Sequence, residues 1–373
     1  MKVVISGPNF TSGGPLSVMS DLLLEVVNHK DMEVVALVHS MDLYPESLRE
    51  KITFMTFPDS KSSWFKRVWY EYYYFSKLSK KIRPDIWLSM HDITPNVEAS
   101  FLATYCHNSS PFYDCKWRDF IYDRGFFFFS KFYKYLYRIN IKKNDAVFVQ
   151  QVWMKDAFEE LFDIDNVSVV NPGIKLPELI SRSRKENLVT EFFYPSFPRL
   201  FKNFEVICAA AERLEKLGEV FKVFLTIDGE ENKYSSDVVK RYGHLESVEF
   251  IGLQSRDKVY EYYERCDVLI FPSKLETWGL PISEVQAFDK PLIVADLPYA
   301  KETVGTYSKV DFFDPDNDIV LADMMLRHIS KDDITYSGNV SRVAPEAVGW
   351  KSFVGLVKDK YRIKREGVVD AEF

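Results

Sequence analysis

The sequence has few cysteines, and they are not arranged as a metal site or a disulfide framework would require. The four cysteines among 373 residues are Cys106, Cys115, Cys208 and Cys266, and no two of them form a CxxC pair. Structural zinc sites and small disulfide-rich domains both depend on closely spaced cysteines. We therefore expect free thiols in a reducing cytosol.

Long apolar runs are also missing from the sequence. No window approaches the 18 or more uncharged apolar residues that a bilayer-spanning helix needs. The N-terminal MKVVISGPNF has one basic residue and an apolar run too short for a signal peptide, so it predicts a first core strand instead. The sequence therefore predicts a cytoplasmic protein that is soluble or lies on a membrane surface.

Several common catalytic signatures do not occur. The chain contains no HExxH, GxSxG, GxGxxG or Walker motif and no set of protein-kinase motifs. Zinc peptidases, α/β-hydrolases, P-loop enzymes and kinases are thereby excluded as close matches.

Basic and aromatic residues are concentrated in two windows, although the net charge is −7. Residues 61–83 contain seven Lys or Arg against one acidic residue, and residues 116–143 contain eight against two. Both windows are also rich in Trp, Tyr and Phe, a composition that favours peripheral contact with acidic lipid headgroups. The alternative is a pair of amphipathic helices that pack their aromatics into a core. Stacking on nucleic acid would use the same residue types, but we expect no nucleic-acid partner.

Short β-branched runs alternate with helical patterns in two successive series. The runs are VVIS, EVVALV, DIWLS, FLATY, DAVFVQ and VSVV in the first series, and EFFYP, FKVFLTIDG, VEFIG, DVLIFPS and PLIVAD in the second. This alternation predicts an α/β fold with two doubly wound parallel sheets. The predicted domains are 1–178 and 179–345, with a polar linker over 179–190. Helical apolar spacing in 346–373 predicts a C-terminal helix that packs across the junction of the two lobes.

Candidate ligand-binding residues follow predicted strands in both series, where parallel α/β sheets bind their ligands. After the first strand, Gly13 and Gly14 precede a helix and leave its backbone N–H groups open to an anion. In the second series, Arg199 and Lys202 lie before a helix capped by Asn203. Two cations at a helix N-terminus suit a diphosphate, although a solvated loop would have the same composition.

The stretch FPSKLETWGLPISEV carries two carboxylates eight positions apart, Glu276 and Glu284. Gly279 permits close approach of a backbone, and Pro281 is suited to the first turn of a helix. Glu284 then lies about one turn into that helix, so both carboxylates can reach the same bound ligand. One carboxylate would contact the reacting end of the ligand and the other its hydroxyl-rich far end. A carboxylate beside a sugar accepts hydrogen bonds from hydroxyls and stabilises oxocarbenium-like charge. The alternative is a surface loop residue followed by a charge that complements the helix dipole.

Taken together, these motifs resemble the retaining glycosyltransferases of family 4, the glycosyl transferases group 1, which have the GT-B fold. The resemblance centres on the Glu-x7-Glu element and covers nearly the whole chain, through Gly13-Gly14, His107 in YCHNSSP, VQQVWMKDAF, VVNPGI, Lys202-Asn203 and IDGEE. It implies two Rossmann-like lobes that face each other across a cleft. The N-terminal lobe would bind the acceptor and the C-terminal lobe the donor, and the C-terminal helix would cross back to the N-terminal lobe.

The resemblance also implies roles for individual residues. The catalytic candidates are Glu276 at the transferred sugar, His107 at the sugar or an acceptor hydroxyl, and Lys202 at the diphosphate. The donor-binding candidates are Gly13, Gly14, Arg199, Lys202, Asn203, Glu276, Gly279, Leu280 through its backbone N–H, and Glu284 at the nucleotide ribose. Many relatives have a Gly-Arg pair about five residues before the lysine, whereas this chain has Phe197 there and Arg199 three before.

By this resemblance, the enzyme would move a sugar, with retention, from a nucleoside-diphosphate sugar to a hydroxyl of a lipid-linked or oligosaccharide acceptor. YPSFPRLFKN and ETWGLP resemble enzymes that build bacterial O-antigen, capsule or exopolysaccharide. Such an enzyme would lie at the inner face of the plasma membrane, in contact through residues 61–83 and 116–143, and would need no metal or other cofactor. The alternatives are a nucleotide-sugar epimerase of the same fold and an inactive scaffold in a membrane assembly.

Two further groups of polar residues could be catalytic or metal-binding, but each also has a purely structural interpretation. His91 and Asp92 follow a predicted strand and could form an acid-base pair, or they could belong to a structural loop. The segment DPDND has the carboxylate spacing of a possible metal site, with Asp314, Asp316 and Asp318. Asp, Pro and Asn also form ordinary turns. We expect no metal there.

Overall fold

The computed structural model describes residues 1–173, 188–331, 335–336, 338 and 344–370. The predicted boundary between 178 and 179 and most of the predicted linker lie outside these residues. Among the helices described, none is both long enough and apolar enough to cross a bilayer.

Fourteen strands are found in the described residues. In chain order they are β1 Lys2–Gly7, β2 Glu33–Val38, β3 Thr53–Thr56, β4 Ile86–Ser89, β5 Phe101–Cys106, β6 Ala146–Val149, β7 Val167–Asn171, β8 Thr190–Tyr194, β9 Phe221–Leu225, β10 Val248–Phe250, β11 Val268–Phe271, β12 Leu292–Ala295, β13 Val310–Phe313 and β14 Ala347–Val348. They form two sheets, of eight and six strands, in which every strand pairing is parallel.

Helices lie between most of the consecutive strands. They are α1 Gly13–Val26, α2 Glu46–Arg49, α3 Trp64–Trp69, α4 Phe75–Ile82, α5 Trp117–Tyr122, α6 Arg124–Arg138, α7 Val152–Phe162, α8 Phe204–Lys216, α9 Lys233–Tyr242, α10 Arg256–Arg265, α11 Leu280–Ala287, α12 Pro298–Val304, α13 Asp318–Ser330 and α14 Gly349–Asp370. A π-helical turn, Tyr70–Tyr74, joins α3 to α4. The predicted class of two parallel, doubly wound α/β sheets is confirmed.

The first compact unit contains the described residues 1–112, 129–173 and 344–370. Its strand order is β14-β7-β6-β5-β4-β1-β2-β3. The central strands are buried along their length, as the near-continuous apolar runs of a sheet covered on both faces require. Helix α1 buries Met19, Leu22, Leu23 and Val26, which are spaced as one face of a helix.

The C-terminal helix α14 belongs to this first unit. Trp350, Phe353, Val357 and Tyr361 are buried in the same core cluster as strands β1, β4 and β5. Their spacing places them on one helical face, so the amphipathic helix predicted from the sequence is confirmed. After the second unit, the chain therefore returns to the first.

The second compact unit contains residues 188–331, with the described parts of 335–343, and also residues 113–128. Its strand order is β10-β9-β8-β11-β12-β13. The segment 113–128, which the predicted boundaries assign to the first domain, packs Tyr113 and Phe126 against Phe201 of this unit. The second unit is therefore built from two separate stretches of the chain.

A buried polar pair lies in the first unit beside the π-helical turn. Glu71 and His91 are both almost completely buried, and Oε1 of Glu71 lies 2.9 Å from Nε2 of His91. Burial raises the pKa of Glu71 to about 8, although the charge of Arg67 opposes this shift. Burial also lowers the pKa of His91 well below its ordinary value. At neutral pH the pair is therefore a protonated carboxyl beside a neutral imidazole.

We predict that this pair makes the protein less stable as the pH rises from 6.5 to 8. The folded state holds the Glu71 proton more tightly than the unfolded state, so the free energy of unfolding falls as the pH rises through the folded pKa. The depressed pKa of His91 makes the free energy of unfolding rise with pH instead, but only below about pH 6.5. Above that pH, Glu71 is the member of the pair that contributes, and it lowers the free energy of unfolding by up to about 1.4 kcal/mol per pH unit.

Urea unfolding of Glu71→Gln at pH 6.5, 7.2 and 8 checks this prediction. The variant should lose the downward slope, whereas Glu98→Gln, which alters an exposed carboxylate, should keep it. Parallel pH profiles for wild type and Glu71→Gln would contradict the assigned protonation state.

Candidate active site

The main candidate site of the second unit lies where two adjacent strands end. Strands β8 and β11 are neighbours in the sheet, so the loops that follow them lie side by side. The backbone N–H of Lys274, after β11, donates to the carbonyl of Phe201, after β8, at 2.7 Å. This bond joins two loops that are far apart in the sequence.

Lys202 and Glu276 form an ion pair across these two loops. Their side chains are only 17% and 15% exposed, respectively. The pairing brings together the residues predicted to hold the diphosphate and the transferred sugar. A polyanionic ligand at this edge would compete with Glu276 for the Lys202 ammonium group.

Two buried tyrosines hold the backbone on either side of this ion pair. The Tyr194 hydroxyl donates to the carbonyl of Lys202 at 2.9 Å, and the Tyr299 hydroxyl donates to the carbonyl of Ser273 at 2.5 Å. Burial, reinforced by the charge of Glu276, raises the pKa of both tyrosines well above its ordinary value. Both hydroxyls therefore stay protonated and serve as donors that fix the loops.

The N-terminus of helix α11 opens at the same edge of the sheet. Gly279 has a φ of +81°, and a Cβ at this position would lie 3.3 Å from Ile282 and 3.4 Å from Tyr299. Both the backbone conformation and the space therefore favour glycine. Leu280, the first helical residue, is 51% exposed, and no side chain caps the helix. Pro281 has no N–H, and the N–H of Ile282 donates to the Gly279 carbonyl at 3.0 Å, so the N–H of Leu280 is the first-turn group best suited to bind an anion.

Glu284 lies about one turn into α11 and is nearly buried. Its Oε2 accepts a hydrogen bond from the Tyr263 hydroxyl at 3.0 Å, and its Oε1 accepts one from Arg256 at 3.4 Å. Each carboxylate oxygen has a second lone pair, so ligand hydroxyls can also be accepted. Sequence reasoning missed both partners, because they lie on α10, before β11, and no local motif marks them.

Arg199 and Asn203 flank Lys202. Arg199 is about half exposed and lies 3.5 Å from the carboxylate of Asp123, in the segment 113–128. Asn203 has a φ of +61° and donates its buried amide to the carbonyls of Pro315 at 2.7 Å and Pro272 at 3.4 Å. These bonds fix the start of α8, so the predicted ligand contact of Asn203 would have to use its other polar groups.

The remaining candidates lie in the first unit. Gly13 and Gly14 are the first two residues of helix α1, whereas the sequence predicted that both precede the helix. Gly13 has a φ of +70°, and an added Cβ at either glycine would meet nothing within 4 Å. The space beside this helix N-terminus is therefore open.

His107 follows β5 at the same edge of the first sheet. Its backbone N–H donates to Asp92 at 2.6 Å, and its ring packs against Phe10 at 5.7 Å and Tyr105 at 4.7 Å between centroids. Burial lowers the pKa of His107, so the imidazole is neutral near pH 7. Phe10 lies in the loop that leads to Gly13, so this loop and His107 are in direct contact.

The aspartates of DPDND are engaged in local structure. Asp314 accepts a hydrogen bond from the backbone of Asp316, which is ion-paired with Lys274, while Asp318 pairs with Arg213. No group of three His, Cys, Asp or Glu side chains suited to a metal occurs in the parts of the chain that the structure describes. The expectation of a metal-free reaction stays a prediction.

The second unit contains the region of the chain that matches a known protein family. Residues 181–336 match the family Glycosyl transferases group 1. The matched region includes Lys202, Glu276, Glu284 and the start of α11. No curated protein sequence matches the chain significantly.

Solved structures resemble the whole chain. The lipopolysaccharide outer core galactosyltransferase WaaB, in its apo form, is 14% identical, with all of both chains covered and a TM-score of 0.66. WaaG, a glycosyltransferase involved in lipopolysaccharide biosynthesis, is 13% identical, with 88% of this chain and 90% of that chain covered and a TM-score of 0.59. HepE of Anabaena, in complex with UDP, is 13% identical, with 100% and 99% covered and a TM-score of 0.59. At these identities the likeness shows the fold alone, and that fold is the predicted GT-B class.

Proposed function

We propose that this protein is a retaining glycosyltransferase that moves a sugar from a nucleoside-diphosphate sugar to a hydroxyl of a lipid-linked or oligosaccharide acceptor. Its product would be a bacterial surface polysaccharide, such as O-antigen, capsule or exopolysaccharide. The observation that carries the proposal is the Lys202–Glu276 pair beside the uncapped N-terminus of α11, inside the region that matches group 1 glycosyltransferases.

The donor is proposed from the charges at this edge of the sheet. Lys202, Arg199 and the N-terminus of α11, through the N–H of Leu280, supply positive charge for a diphosphate. Glu284 has lone pairs for the ribose hydroxyls of the nucleotide. The solved structures of HepE in complex with UDP and UDP-glucose make the uridine nucleotides the first to test.

In the proposed reaction, the bond between the anomeric carbon and the diphosphate oxygen breaks as the acceptor hydroxyl attacks. The departing diphosphate gains negative charge, which Lys202 and the α11 N-terminus stabilise. Once the diphosphate engages Lys202, the Glu276 carboxylate is released to accept sugar hydroxyls and stabilise positive charge on the ring. The acceptor proton passes to the departing phosphate, so the mechanism needs no separate base.

The first prediction for this function concerns nucleotide binding. In a thermal-shift panel of UDP, GDP, dTDP, CMP and their sugar conjugates, one nucleoside diphosphate should raise the melting temperature. A ligand that binds only the folded state stabilises it by about 2.7 kcal/mol at 100 times its Kd. Glu284→Ala should abolish the shift, because the ribose loses its acceptor.

The control is Glu246→Gln, an exposed carboxylate before β10, at the amino end of the strands, which should keep the full shift. Each shift is compared with the ligand-free melting temperature of the same variant, because Glu284→Ala also removes the acceptor of Tyr263 and Arg256. A folded wild-type protein that responds to no nucleotide would favour the scaffold alternative.

A second prediction concerns turnover of the donor that gives the largest shift. Glu276→Gln and Lys202→Ala should each lower kcat at least about 100-fold, since each removes a charge directed at the reacting centre. Lys240→Ala, an exposed cation on α9, is the matched control and should keep normal turnover. Near-normal turnover in both site variants would overturn the site assignment.

We also propose that the first unit contacts acidic membrane surfaces from the cytoplasmic side. Phe65, Trp69 and Tyr73 recur every four residues and are 89%, 47% and 51% exposed, and exposed lysines surround them. In the part of the second window that belongs to the first unit, the exposed apolar side chains are Phe132, Tyr135 and Ile139, while the exposed Trp117, Ile121 and Phe128 belong to the second unit. Exposed aromatics beside lysines support a monotopic interface. Phe75 and Tyr137 are instead buried, so part of each window packs the core, as the alternative interpretation expects.

The membrane proposal predicts that Phe65→Ser with Trp69→Ser weakens binding to anionic liposomes about 10-fold or more, because two inserted aromatic side chains are lost. Co-sedimentation with vesicles of phosphatidylglycerol measures this. The control Leu217→Ser removes an exposed apolar side chain from the second unit and should leave binding unchanged. The nucleotide shift should be the same in all three proteins. Equal liposome binding by all three proteins would count against this surface.

A further inference from the structure

A cavity of about 480 Å³ lies in the first unit, and none of the donor candidates is among the described residues that line it. We name it the α3 cavity, because α3 and the residues before it form one wall. The other walls come from the loop after β1, the turn after β4 and the middle of α6. Its volume lies within the range of about 300–1,000 Å³ that small-molecule sites occupy.

Three side chains that line this cavity have buried polar atoms without a hydrogen-bond partner in the described part of the chain. These atoms are both amide atoms of Asn9, Nε of Arg67 and Nδ1 of His91. An unsatisfied buried polar group costs about 1–3 kcal/mol, and native proteins contain few of them. Three side chains with such atoms around one cavity indicate that a polar ligand completes their hydrogen bonds.

The charge of the α3 cavity indicates the chemistry of that ligand. Arg67 and Lys61 line it, and among the described lining residues Asp92 is the one carboxylate. Oδ1 of Asp92 already accepts the backbone N–H groups of His107 and Asn108, at 2.6 and 3.1 Å. Burial keeps His91 neutral, so the cavity has a net positive charge and favours an anionic group.

Arg67 is held in place for such a group. Its Nη2 donates to the Tyr133 hydroxyl at 2.9 Å and to the His91 carbonyl at 3.1 Å. Its guanidinium carbon lies 5.1 Å from the ring centroid of Trp64 and 5.8 Å from that of Tyr133. A fixed planar guanidinium loses little entropy when it binds a carboxylate or phosphate. The rings of Trp64 and Phe129 offer apolar surface to a sugar ring in the same cavity.

The α3 cavity also adjoins His107, the candidate contact for an acceptor hydroxyl. Phe10 lines the cavity and packs against the His107 ring, and Asp92 lines it and binds the His107 backbone. A sugar in the cavity would therefore lie beside the residue to which the proposed function assigns the acceptor.

We propose that the α3 cavity binds an acceptor sugar that carries a carboxylate or phosphate group, with Arg67 as the ligand of the anion and Asn9 as a further hydrogen-bonding partner. This assignment rests on the proposed glycosyltransferase function and adds to it that the acceptor is acidic. Neutral sugars lack the group that Arg67 binds and should be discriminated against.

Saturation-transfer NMR with three probes tests the assignment: glucuronate, glucose 6-phosphate and glucose. At least one acidic sugar should bind with a Kd on the order of 1 mM, typical of a single small ligand, and glucose should bind at least about 10-fold more weakly. The two acidic probes distinguish a carboxylate from a phosphate. Failure of both to bind, or equal binding of glucose, would overturn the proposal.

Two variants identify the cavity as the site. Arg67→Gln should weaken binding of the acidic sugar at least about 10-fold, while Arg138→Gln, an exposed arginine further along α6, should leave it unchanged. Asn9→Leu should also weaken binding without lowering the melting temperature, because its amide has no partner in the described protein to lose. Asn9→Leu decides the test if Arg67→Gln fails to fold.

The nucleotide shift, measured on the same proteins, separates the two proposals. Both cavity variants should keep the wild-type shift, since neither Arg67 nor Asn9 is a donor candidate and the candidates for the diphosphate and the ribose belong to the second unit. Acidic-sugar binding that survives both substitutions, with the nucleotide shift intact, overturns the cavity assignment alone. A wild type that shows no nucleotide shift but binds the acidic sugar through Arg67 and Asn9 overturns the proposed function and supports the cavity as a binding site.

Discussion

The constraint on which this structure depends is the parallel pairing of its strands. A parallel strand reaches its neighbour only through a crossover, so helices cover both faces of the sheet and the strand interiors become apolar. Phe193, Leu269 and Ile270 are accordingly buried. Polar side chains that would destabilise the strands are displaced to the loops beyond them. Since all carboxyl ends meet at one edge, the same constraint collects Lys202 and Glu276 there.

The core strands could be predicted from the sequence because they are buried on both faces. Glu33–Val38 has the predicted limits, as the apolar run EVVALV marks both ends of the strand. Thr53–Thr56 was missed because it is a four-residue edge strand with no fully buried residue, and its two adjacent apolar residues, Phe54 and Met55, give neither a long apolar run nor an alternation. The predicted strand over 221–229 is too long, since pairing ends at Leu225 and the polar residues that follow form a loop.

The site could be predicted as a set of residues but not as a set of contacts. Glu276 and Lys202 were identified from their own motifs, yet they are 74 positions apart, and their pairing depends on the adjacency of β8 and β11. The partner of Arg199 is Asp123, in a segment that the alternation of strands assigns to the other domain. No spacing rule connects such pairs, because the order of strands in a sheet is a tertiary property. The roles proposed for these residues stay predictions.

The two units differ in how their candidate polar groups are satisfied without a ligand. In the second unit each charged candidate has a counter-charge: Lys202 with Glu276, Glu284 with Arg256, and Arg199 with Asp123. A diphosphate would therefore exchange one ion pair for another, and its net binding energy is the difference between them. Around the α3 cavity, by contrast, polar atoms of Asn9 and Arg67 have no partner among the described residues, so a ligand would gain contacts without breaking any. The two arrangements therefore suit different ligands. A ligand that must replace an existing ion pair in the second unit has to be highly charged, whereas the unsatisfied donors of the α3 cavity can bind a ligand of lower charge.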